Sequence, residues 1–109
     1  RNMAKILAKH GFITALDSAL SDNALGLLVA QGLRTLGKSV GYPTTLKEIK
    51  GMTDGHVEKA LAAAKNPQLE SKLRNMPIPL TANLVDKYMG PVLEAARNGN
   101  FGLIKKYEE

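Results

Sequence analysis

The chain has 109 residues and no cysteine, so it is expected to form one domain at most, without disulfides or thiolate–metal sites. Its net charge of +5 comes from fifteen cations spread thinly among ten carboxylates, which describes a solvated surface rather than a concentrated basic patch. No apolar run approaches the ~20 residues of a membrane span and no signal peptide is visible, so a soluble, cytoplasmic chain with no membrane partner is expected.

The chain opens on Arg1 with a helix already under way by Met3, which suggests a piece cut from a longer chain. "MAKILAKHG" predicts the end of a helix. Ile6 and Leu7 are apolar, Lys9 and His10 meet the negative dipole end, and Gly11 lies just past the stop. "FITALDSAL" is expected to be a short helical segment interrupted by Asp17 and Ser18. Ser21 and Asp22 then cap a helix over 23–40, with Leu25, Leu28, Val29, Leu33, Leu36 and Val40 in one stripe. Gly41-Tyr42-Pro43 ends it.

"TLKE" is a capping box that predicts a helix of barely two turns from Thr45, with Leu46 and Ile49 inward and Gly51 as its stop. Thr53 caps a helix over 54–65, whose "ALAAAK" has high helix propensity, with Val57, Leu61 and Ala64 on one side. Asn66-Pro67 opens a short helix to about Arg74. "MPIPL" is an extended apolar link, because its two prolines forbid helix. Thr81 caps the last long helix, with Val85, Tyr88, Met89, Val92, Leu93 and Ala96 as its stripe. Gly90-Pro91 should bend that helix and Gly99 closes it. Phe101, Leu103 and Ile104 form a terminal turn that packs back. No credible strand remains, so the prediction is all-α: a bundle of about five to seven helices forming a single helical domain over 1–109.

Chemistry is sparse. His10 is expected to serve as a helix C-terminal cation and His56 as a first-turn polar residue, with no second ligand at metal-binding spacing. "GLRTLGKS" lacks the preceding strand and the spacing of a phosphate loop. No serine or lysine has an activating partner that the sequence identifies, so no catalytic, cofactor-binding or metal residue is assigned in this chain. The stretch 45–65 has the rhythm of a winged-helix DNA reader, with Thr53, Asp54, His56 and Lys59 facing the groove. Against it, Asp54 and Glu58 would face phosphates and the wing strands are absent, so a nucleic-acid partner is not the expectation.

The run "GLRTLGKSVGYPTTLKEIKGMTDGHVEKALAAAKNP…NMPIPLTANLVDKYMGPVLEAA" resembles the C-terminal end of iron-containing alcohol dehydrogenases. Those enzymes end with a helix leading to a Leu-Gly-Ile-Pro-Thr-Ser-Leu-like segment, a glycine, an acidic helix start and an Ala-rich helix. An Asn-Pro-Arg-x-x-Thr segment then precedes a final helix. The counterparts are "VGYPTTLKEI", Gly51, Thr53-Asp54, "ALAAAK", "NMPIPLT" and the helix from Ala82, in that order over about residues 25 to 97. The chain departs from the pattern in the longer "NPQLESKLR" link and in lacking the Arg after Pro and a cysteine often found nearby.

The resemblance implies a parent enzyme with an N-terminal domain that binds NAD or NADP and a helical domain that holds iron or zinc through one Asp and three His. The metal would polarise an alcohol so that hydride leaves to the nicotinamide. Those ligands and the nucleotide domain would precede Arg1, so this chain alone would bind no cofactor and show no turnover. Asn75, Met76 and Pro77 are the residues expected to line the cleft, against the plainer reading that they space two helices. The missing N-terminal domain would be a partner, and exposed apolar faces would favour homo-oligomers. A small standalone helical module that binds a partner helix is the other alternative.

Overall fold

The computed structural model describes residues 1–108. Among them are five α-helices, four single 3-10 turns and no strand, as the all-α prediction requires. They form two compact units, Arg1–Thr44 and Thr45 onward. No helix among the described residues is long and apolar enough to cross a membrane.

In the first unit α1 (Asn2–Lys9) packs against α2 (Asp22–Ser39). Ala4 and Leu7 of α1, Leu25 of α2 and Ile13 of the connection are buried together, with Phe12, Leu20, Leu28 and Val29 around them. Both helices stop the same way. The Gly11 and Phe12 amides donate to Ala8 and Leu7 carbonyls, and the Gly41 and Tyr42 amides donate to Lys38 and Gly37. This double bond pattern is a Schellman stop, and it needs the positive φ found at Gly11 and Gly41. Gly41 therefore ends α2 before Pro43 can act. At its start, the Ser21 hydroxyl accepts from the Ala24 amide at 3.3 Å.

The helix expected within 12–20 is absent. The Schellman stop turns Phe12 and Ile13 into the core, and the Asp17 carboxylate accepts the Ala19 amide at 2.8 Å, fixing a turn where a helix would have to continue. The Arg1 guanidinium donates to the Ser18 and Leu20 carbonyls and holds this connection in place. The α2 stripe is also used only in part. Leu25 is buried and Leu28 and Val29 half-buried, but Leu33 and Leu36 are exposed and Val40 is 71% exposed. α1, with eight residues, is too short to cover eighteen.

The second unit begins with the corner that the capping box predicts, in a tighter form. The Glu48 carboxylate accepts from the Thr45 amide at 2.7 Å and the Thr45 hydroxyl at 2.9 Å. The Glu48 and Ile49 amides reach only three residues back, so the expected two-turn helix is a single 3-10 turn, Leu46–Glu48. Ile49 leaves the turn in extended conformation and is 47% exposed rather than inward.

α3 (Asp54–Ala64), the turn Pro67–Leu69 and α4 (Glu70–Arg74) follow, with Asn66 accepting from the Gln68 amide at 3.0 Å beside Pro67. The turn Ala82–Leu84 leads into α5 (Val85–Asn98), which runs as one helix through Gly90-Pro91. Leu73, Leu80, Val85 and Tyr88 form the core, with Leu61 and Ala64 of α3 against them. Val85 is fully buried, worth roughly 1.5–3 kcal/mol of transfer free energy. The α5 stripe deviates past its second turn, where Ala95 is buried and Val92 is 45% exposed.

A short turn, Phe101–Leu103, packs back on α5 as expected, although Leu103 and Ile104 keep exposed surface. The contact that closes this end comes from Tyr107, whose ring lies 5.1 Å from Tyr88 at a tilt of 50°.

Candidate functional site

Two regions carried the functional expectations, both in the second unit: the link after α4 and the start of α3. The link is not an open extended strand. The Met76 amide donates to the Leu73 carbonyl at 3.3 Å, and the Leu80 amide donates to the same oxygen at 3.1 Å. One carbonyl thus ties both ends of a loop, while the Leu73 and Leu80 side chains are buried beneath it. A polyproline II segment would carry four residues about 12 Å forward, so Met76–Leu80 cannot be one.

The prolines set the loop's shape from inside, since Pro77 and Pro79 offer no amide and the neighbouring amides make both closing bonds. Asn75 caps α4 through its amide, which donates to Ser71 at 3.2 Å. Asn75, Met76 and Pro77 are therefore brought together on the surface, together with Ile78. Met76 is 37% and Ile78 49% exposed, so the loop presents apolar groups to solvent. Neither of two hollows includes this loop: one, in the first unit, is lined by Arg1, Lys5, Leu16, Asp17 and Ser18, and the other, in the second unit, by Pro67, Gln68, Glu70, Ser71 and Arg74.

At the start of α3, three of the four side chains that a DNA reader would offer are engaged internally. His56 occupies the third helical position, where a capping box usually has Glu. Its Nδ1 accepts the Thr53 amide at 3.1 Å and lies 2.8 Å from the Thr53 hydroxyl. Accepting the amide requires Nδ1 to carry no proton, which places the proton of the neutral ring on Nε2. Asp54 is paired with Arg97 of α5, and only Lys59 of the four makes no such contact with these groups while being exposed. His10 is the exposed C-cap residue of α1, its backbone amide donating to Ile6 at 3.2 Å.

Arg97 is the residue the sequence reading passed over. Its guanidinium bonds Glu94 on its own helix at 2.7 Å and Asp54 at the start of α3. The hydrogen bond to Glu94, then that to Asp54, raises its pKa above the ordinary arginine value. At the other end of the same helix pair, Lys65 bridges to Asp86 at 2.9 Å. The two bridges join opposite ends of α3 to α5. The ammonium of Lys87 lies 4.9 Å from the Tyr88 ring centre, and contact with Tyr88 raises the Lys87 pKa. All of these groups are occupied with one another.

Among the described residues, no three His, Asp or Glu side chains converge to hold a metal ion. Comparison with family models, curated proteins and solved structures finds no match for the chain.

Proposed function

We propose that the chain is the C-terminal helical portion of a cytoplasmic, NAD(P)-dependent and metal-dependent alcohol dehydrogenase, and that it acts only as part of that larger protein. The observation that supports the second part of this reading, a chain that acts within a larger protein, is surface area. The chain exposes 7766 Å². Two separate globules of 44 and 65 residues would expose only about 7,000 Å². The exposed surface includes Leu33, Leu36, Val40, Tyr42, Ile49, Met76, Ile78 and Val92.

The order of capped elements supports the family assignment: the Thr45–Glu48 corner, Gly51, the Thr53 cap, the Ala-rich α3 and the final helix after "NMPIPLT". In this reading the parent's metal, iron or zinc, supplies Lewis acidity toward the alcohol, and its ligands and the nucleotide site belong to residues before Arg1. This chain contributes rigid helices and presents the 76–79 loop toward the cleft, where Met76 and Ile78 would exclude water from the substrate. Homo-oligomers would form through apolar faces left uncovered.

A second reading, a standalone module that binds a partner helix, draws support from the separate buried cluster in each unit. The winged-helix alternative has less, because Thr53, Asp54 and His56 are occupied and a single 3-10 turn stands where its first helix should be.

The test is to read the coding DNA upstream of Arg1 and assay the full product for NAD(P)-linked alcohol oxidation with iron or zinc supplied. A frame that continues through a Gly-rich nucleotide motif and an Asp/His cluster, together with turnover, is the expected result. A start codon immediately before Arg1 overturns the reading in favour of the standalone module.

A further inference from the structure

We draw no further inference here: the strongest candidate, the exposed second half of the α2 apolar stripe at Leu33, Leu36 and Val40, carries nothing because nothing in the structure shows what covers it.

Discussion

Two glycines of α2 allow the packing of the first unit to be measured against an internal control. Both lie inside the helix, so replacing either by alanine gains the same intrinsic propensity, roughly 0.5–1 kcal/mol. A Cβ at Gly26 would meet nothing within 4 Å, so Gly26→Ala is expected to stabilise by that amount. A Cβ at Gly32 would lie 2.9 Å from Ile13 Cγ1 and 3.1 Å from Leu7 Cδ1. Ile13 is β-branched and buried, so its χ1 is restricted and Cγ1 can move clear only by giving up its packed rotamer. Overpacking of this kind costs about 1–3 kcal/mol. The propensity gain cancels in the difference, and Gly32→Ala should be less stable than Gly26→Ala by that same 1–3 kcal/mol. Amide hydrogen exchange of α1 and α2 is the suitable assay, because it reports the local stability of one unit. Equal protection in the two variants would refute the close approach of α1, Ile13 and α2 at Gly32.

In the second unit, Leu73→Ala removes a buried leucine beneath the 76–79 loop and should cost about 2–5 kcal/mol, measured by urea denaturation followed by circular dichroism. His56→Ala should cost about 0.5–1 kcal/mol by leaving the Thr53 amide without its side-chain acceptor, while His56→Glu should restore the cap; α3 amide exchange distinguishes the two. Asp86→Asn should change stability by less than about 1 kcal/mol, and less still in high salt, because both partners of the Lys65 bridge are substantially exposed. Leu36→Lys, at an exposed position of the α2 stripe, should lower any self-association seen by sedimentation velocity while leaving helical content unchanged.

What the sequence made legible is what neighbouring residues decide among themselves. Ser21 with Ala24, Thr45 with Glu48, Thr53 with His56 and Asn66 with Gln68 each settle a helix start within two or three residues. Gly11 and Gly41 settle two stops by the conformation they alone permit cheaply. The misplaced expectations depend on cover. An apolar period shows that Leu33, Leu36, Val40 and Val92 share a face with buried neighbours, but not whether another element is long enough to reach them. The segment 12–20 failed for a related reason: its apolar residues suit a helix, yet Ile13 is needed in the core and Asp17 bonds its own backbone.

The candidate site was less legible because its geometry is set by distant partners. Arg97 meets Asp54 across 43 residues and Lys65 meets Asp86 across 21, and no local pattern marks such pairs in advance. The 76–79 loop shows the same limit within one segment. Prolines predict only that the link is not helical, whereas its shape depends on the Leu73 carbonyl accepting from both ends. That closure also limits the loop's freedom. A loop fastened at both ends to α4 and seated on the Leu73–Leu80 contact can present Met76 and Ile78 without reordering as a partner arrives. Part of the ordering cost that a free apolar link would incur on contact has thus already been met during folding.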